Sequence, residues 1–239
     1  MHRPHEHTDF IPDPPDPGTV IRACGLCDGA SEATIRMLLD GSSMAHADRG
    51  EILWTAGTEA RFFAIVSEGL IRLARRAPHA QEVVVELVGP GSVAGILAAL
   101  SQGPYPLTST AVIPTWYLKM PTVLWRKAMA QEPHLSECAM VELRRRLLES
   151  YDFLGGMVTC SVEPRLASAL LSVYEVLRSP FMETDDTLPI SRQCLAEIAT
   201  TSVETVIRTT TKWQQRGWIK AGYRTITITD MDALRALIR

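Results

Sequence analysis

A chain of 239 residues that is 46% apolar and 21% charged is expected to form a packed soluble core rather than to be disordered. No apolar run reaches the roughly 20 residues a membrane-spanning helix needs, and the opening MHRPHEHTDFIPDPPDPG is polar where a secretory leader is apolar. Five cysteines, an odd number, point to reduced thiols in a cytoplasm rather than to a disulfide framework.

The net charge of −3 argues by itself against nucleic acid, but it is unevenly spread. Residues 188–239 carry eight Lys/Arg and four acids, a net of +4, which leaves −7 on residues 1–187. A basic C-terminal module on an acidic body is the footprint of a local nucleic-acid contact.

In chain order, residues 1–19 read as a flexible tail. Its His2, His5 and His7 have the look of a metal-binding tract, in a segment with nothing to fix them. Residues 20–121 read as a sensor domain that begins with a short helix, EATIRMLL. The runs GEILWTAG, RFFAIVSEGLIRLARR, QEVVVELVGPGS and STAVIPTWYLKM then follow, short and β-like with glycine at the corners. They predict a compact β-roll. Residues 122–158 are helical in pattern, with a break near Pro133. Met140, Leu143, Leu147, Ser150, Leu154 and Met157 recur there at alternating spacings of three and four, the seam along which two helices pack. A second stripe, Val141, Leu148 and Tyr151, is free to face the β-roll. Gly155-Gly156 suits a hinge.

Residues 159–239 begin with the amphipathic SVEPRLASALLSVYEVL and an acidic loop, METDDT. In ISRQCLAEIATTSVETVIRTTTKW, Leu195, Ile198 and Ala199 face inward on a first helix, and Ala196 is small enough for a second helix to cross closely. Thr201 or Ser202 can cap that second helix, whose Val206 and Trp213 face inward. Ile219, Ile226 and Ile228 flank a Gly222-Tyr223 turn, and MDALRALI ends the chain as a short helix. Helix, tight turn, helix and hairpin make a winged helix-turn-helix, whose second helix enters the major groove N-terminal end first. Glu204 and Arg208 occupy that end. Arginine pairs bidentately with guanine, and glutamate accepts from cytosine N4. Two blander readings compete: an i,i+4 surface ion pair, and a capping box joining Glu204 to Thr201.

The arrangement resembles the CRP/FNR superfamily of bacterial transcription regulators over about residues 20–239. The resemblance rests on Gly50, Gly57, Gly69, Gly91 and Gly95 of the β-roll, on the long helix, and above all on ISRQ, LA and SVETVIR in the reading head. It implies an α+β fold: an N-terminal double-stranded β-helix (a cupin-like jelly roll), a dimerisation helix and a C-terminal winged helix-turn-helix. It implies double-stranded DNA and a second copy of the chain, through residues 134–158, as partners, with RNA polymerase as a further one. It assigns Glu204 and Arg208 to the inner TGA-type bases of each half-site. Ser191, Arg192, Gln193 and Ser202 take phosphate or orienting contacts, with Thr205 and Lys212 on the same helix. Val203 matches the FNR-like branch. Thr200 stands where the family has a turn glycine, at a cost of about 1 kcal/mol or more if the geometry is left-handed. Ile207 stands where FNR has a serine.

The sensor segment GSVAGILAALSQGPYPLTSTA departs from the members that bind cyclic nucleotides. Ile96 takes the place of the glutamate that holds the ribose, and no Arg or Lys lies between Gly91 and Ala111 to meet the phosphate. A buried phosphate without a cation is strongly unfavourable, so cyclic AMP is not expected. An iron–sulfur cluster needs four thiolates. Cys24, Cys27, Cys138, Cys160 and Cys194 do not fall in the β-roll, and Cys27 takes a core phenylalanine's place. Haem stays open, because His46, His79, His134 and several methionines are iron-ligand types and 92–100 is apolar. The leading reading is a homodimeric transcription regulator with an unidentified effector. The alternative is a ligand-binding regulatory module acting through a protein partner. No nucleophile–base pair, metal spacing or phosphate loop supports an enzyme.

Overall fold

The computed structural model describes residues 13–76, 82–158, 161–178 and 186–238, with backbone alone at 153, 154 and 156–158. His2, His5, His7, His79, Cys160 and most of the METDDT loop lie outside them. The expected tail ends earlier than residue 19. Helix α1 spans Pro17–Ala23, with the Asp16 carboxylate accepting from Thr19 N at 2.7 Å and proline in the first turn. A 3-10 turn, Gly25–Cys27, leads to α2, Glu32–Gly41.

Eight strands build the roll: β1 Ser43–Ala47, β2 Ile52–Trp54, β3 Phe62–Glu68, β4 Ile71–Arg76, β5 Glu82–Val88, β6 Val93–Ala94, β7 Thr108–Ala111 and β8 Thr115–Pro121. They pair antiparallel in two sheets, ordered β1-β8-β3-β6 and β2-β7-β4-β5, with α3, Ile96–Ser101, inserted after β6. All five β-roll glycines have positive φ, between +78° and +96°. Gly69 shows why the residue matters: a Cβ there would collide with Thr115 Oγ1 and Pro114 O, where two corners of the roll meet. Trp54, Val66, Leu73, Tyr105 and Tyr117 fill the space between the sheets. Behind β1-β8-β3, the first helices bury Ile21, Leu26 and Leu38 against Phe63, Leu118 and Trp125.

The break at Pro133 separates α4, Thr122–Gln131, from α5, His134–Val158. The inward face of α5 is Leu135, Ala139 and Leu143, continued by Arg146, which pairs bidentately with Glu86 of β5 at 2.7 and 2.6 Å. This corrects two expectations. Leu143 packs against the core of its own chain and does not belong to an outer seam. Val141 and Tyr151 do not face the β-roll but are 67% and 60% exposed, and Leu148 joins them. The free stripe is therefore Met140, Val141, Leu147, Leu148 and Tyr151. The side chains of Leu154 and Met157 lie outside the described residues, and Gly155-Gly156 falls in the last turns of α5.

The C-terminal module comprises α6 Val162–Leu177, β9 Thr187–Leu188, α7 Arg192–Ile198, α8 Val203–Gln215, β10 Ile219–Ala221, β11 Ile226–Ile228 and α9 Met231–Ala236. The wing is three-stranded, β10-β11-β9, one strand more than the hairpin. Its core is continuous with the outer side of the β4–β5 sheet: Leu70, Ala74, Val84, Leu87, Val112 and Ile113 join Leu170, Leu195, Ile198 and Trp213 in one buried cluster.

Candidate nucleic-acid interface

Two caps define the reading head. Ser191 accepts from Cys194 N at 3.1 Å to start α7, and Ser202 accepts from Thr205 N at 3.3 Å to start α8. Between them Thr200 adopts φ +50°, the left-handed turn expected of a glycine, and Thr201 N bonds Ala196 O at 2.9 Å. Leu195, Ala196, Ile198, Ala199, Val206 and Trp213 are all buried, and the Trp213 indole donates to Glu163 of α6 at 2.9 Å. The crossing of α7 and α8 is thus fixed by core packing.

The cap position decides one of the blander readings of Glu204. With Ser202 as the cap, the third helical position is Thr205, whose hydroxyl meets that of Ser202 at 3.0 Å. Glu204 is one residue too early to close a box, and Thr201 is not the cap. The other reading fails as well, since no ion pair joins Glu204 to Arg208. Both side chains are exposed on the first two turns of α8, with Ile207 between them and exposed Lys212 one turn on.

The remaining expected residues are less free. Val203 is half-buried against the head's core, and Ser202 and Thr205 spend their hydroxyls on the cap. Arg192 reaches across to α8, with Nε 3.3 Å from Thr210 Oγ1 and a terminal nitrogen 3.4 Å from Gln214 Oε1. It braces the two helices rather than projecting freely. Gln193 is exposed and donates to Glu197 at 3.0 Å.

Sequence reasoning passed over the wing tip. Gly222 N bonds Thr225 O at 2.9 Å to close the turn, Arg224 sits at φ +54° with its guanidinium 5.5 Å from the Tyr223 ring, and Tyr223 is 87% exposed. The signal was present. From Thr205 to Thr229 the chain has five cations and no acid, a charge run that extends beyond the helix-turn-helix.

Among the described residues, the interior of the sensor is apolar and aromatic. Ile96 is fully buried. Trp54 and Tyr105 stack at 4.5 Å across the roll, Tyr105 OH bonding Phe62 O at 2.5 Å and Trp54 Nε1 bonding Leu107 O at 3.1 Å. Among the described residues, the histidines of iron-ligand type do not line the interior of the roll. Ala45 and Ala47 of β1 point into the roll, so His46, between them, points away and packs edge-on against Trp116. His134 stands at the start of α5, 3.9 Å from Glu132. Cys24 and Cys27 lie in the core beside the first helices, where burial raises both thiols, Cys27 to about 12. Cys194 is likewise pushed up to about 12 by burial, in the separate core beneath α7. Among the described residues no three His, Cys, Asp or Glu converge on a metal position, and no helix is long and apolar enough to cross a membrane.

Comparison with known proteins agrees with this geometry. Residues 44–132 match the cyclic nucleotide-binding domain family, and residues 164–237 match the Crp-like helix-turn-helix domain family. A CRP-like cAMP-activated global transcriptional regulator of Mycobacterium tuberculosis is 23% identical over 219 residues, covering 90% of this chain and 96% of that one. The nitrogen fixation regulation protein FixK of Bradyrhizobium diazoefficiens is 24% identical over 218 residues, covering 91% of each. The solved structure of FixK2 from Bradyrhizobium japonicum superposes with a TM-score of 0.71 at 18% identity, over 83% of this chain and 98% of that one. A β-roll of cyclic-nucleotide-binding type, a long helix and a Crp-like reading head in that order make the chain a member of the CRP/FNR family of DNA-binding transcription regulators.

Proposed function

We propose that the protein acts in the cytoplasm as a homodimer that reads a palindromic DNA site with TGA-type inner bases, under control of an effector that is not a cyclic nucleotide. The observation that carries this reading is the placement of Glu204 and Arg208, both exposed and without a partner among the described residues, at the N-terminal end of a helix that a buried helix-turn-helix core presents. Arg208 reaches guanine O6 and N7, and Glu204 accepts from cytosine N4. Ser191, Ser202 and Gln193, at the starts of α7 and α8, and Lys212 meet phosphates or orient the helix. Lys220 and Arg224 of the wing add charge beside them. RNA polymerase is the further partner that a transcription regulator addresses.

Selection of bound duplexes from a randomised pool by the full-length protein tests this reading. The expected product is a palindrome with half-sites about one helical turn apart. Enrichment without sequence preference, or of a single asymmetric motif, contradicts it.

The Mycobacterium relative is described as cAMP-activated, but the anchors for such a ligand are missing here. Calorimetric titration with cyclic AMP or cyclic GMP at millimolar concentration should show no binding, because Ile96 cannot hold the ribose and no cation lies between Gly91 and Ala111. Micromolar binding of either would overturn the assignment of the sensor.

A further inference from the structure

Beside the buried cluster they share, the sensor and the reading head meet through charged groups. Arg72 of β4, with its side chain 15% exposed, lies 3.0 Å from Glu82 of β5 and 3.2 Å from Glu197 of α7. The second oxygen of Glu197 accepts from Gln193 at 3.0 Å. A continuous chain thus runs from the sensor sheet to a residue at the DNA-facing start of α7. Arg49, in the turn after β1, donates to Pro189 O at 3.0 Å, just ahead of the same helix. The turn after β5 seats against α6 because residue 89 is glycine: a Cβ there would collide with Val176 O.

The same hairpin also holds the dimer helix, since Glu86 of β5 is the partner of Arg146 on α5. Strands β4 and β5 therefore anchor the helix that carries the free apolar stripe and the helix that begins the reading head. The docked head is not covered. Glu204, Ile207, Arg208 and Lys212 stay exposed with α7 seated on the sheet, so docking fixes the head without occluding it.

We infer that Arg72 is a positioning residue: through Glu197 it holds the reading head at a set distance from the dimer helix, and so sets the half-site spacing that the protein accepts. The inference rests on the dimeric DNA reading proposed above. Two heads bind one duplex well only when their separation matches the site, and a loosened head accepts neighbouring spacings at lower affinity.

The test uses the full-length protein on palindromes whose half-site separation varies in single base-pair steps. The wild type should show one sharp optimum. Arg72→Glu, which sets three carboxylates against each other, should lose about tenfold at that optimum, in the range of inter-site coupling, and should respond almost evenly to spacing. Affinity for scrambled duplex should not change. Glu197→Arg should flatten the spacing response in the same way, and the Arg72→Glu/Glu197→Arg double variant should regain the optimum, a rescue that general destabilisation does not produce. Gly89→Ala perturbs the same contact from a separate element and should also broaden the optimum, and amide hydrogen exchange in α7 should rise in each single variant. A sharp optimum retained by Arg72→Glu and Gly89→Ala overturns the inference and leaves the DNA reading intact. Loss in both charge variants without rescue in the folded double variant also overturns it. Failure of the wild type to prefer any palindrome over scrambled duplex removes the DNA reading itself.

Discussion

Replacing Leu147 and Leu148 together by glutamate should leave the protein monomeric and lower its affinity for a palindromic site about 10²–10⁴-fold, the usual worth of linking two binding modules. The inward face of α5 is fixed by Leu135, Ala139, Leu143 and the Arg146–Glu86 pair, so Met140, Val141, Leu147, Leu148 and Tyr151 have no partner surface among the described residues. A stripe of this size over three helical turns is more apolar surface than a single helix normally leaves in water. Two substitutions per helix would place four carboxylates in the seam of a dimer, and burying charges without partners costs several kcal/mol each. Both leucines are about half exposed in the single chain, at 51% and 48%, so the fold should survive with unchanged helical circular dichroism. Sedimentation equilibrium decides the matter. A double variant that remains dimeric shows that the copies meet elsewhere.

The reading head was legible because its rules are local. Apolar spacing gave Leu195, Ile198, Ala199, Val206 and Trp213 as its core, and all are buried. Thr201 or Ser202 was expected to cap the second helix, and Ser202 does, since it stands at the residue before α8 begins. Thr200 was expected to meet left-handed geometry and does, at φ +50°. The orientation of α5 was not legible. Apolar residues cover two adjoining faces of that helix, and the inward one is marked by non-local contacts, the packing of Leu135, Ala139 and Leu143 and the pair of Arg146 with Glu86. Leu143 was misplaced for that reason, as were Val141, Leu148 and Tyr151. The start of α1 was legible in principle, with an aspartate cap before a proline at the first helical position, but the surrounding prolines masked it. Contacts between the sensor and the head, Arg72 with Glu197 and Gly89 with Val176, depend on how two modules sit together, and no periodicity in the sequence records that.

The central claim is that the start of α8 reads bases, and the most direct measurement compares Arg208→Ala with Lys212→Ala on a cognate duplex and on a scrambled one. Both side chains are exposed, carry the same charge and have no partner among the described residues, so neither loss should disturb the fold. Lys212 is a better control than Arg192, which braces α7 against α8 through Thr210 and Gln214. Arg208→Ala should cost about 1–3 kcal/mol on the cognate site and relax selectivity at the inner guanine, because a bidentate pair is lost. Lys212→Ala removes only a point charge near the phosphates. It should weaken cognate and scrambled duplexes about equally and flatten the salt dependence by roughly one unit per head. If Arg208→Ala instead weakens both duplexes by the same factor, Arg208 supplies charge and no information, and the account of how this protein reads DNA is wrong.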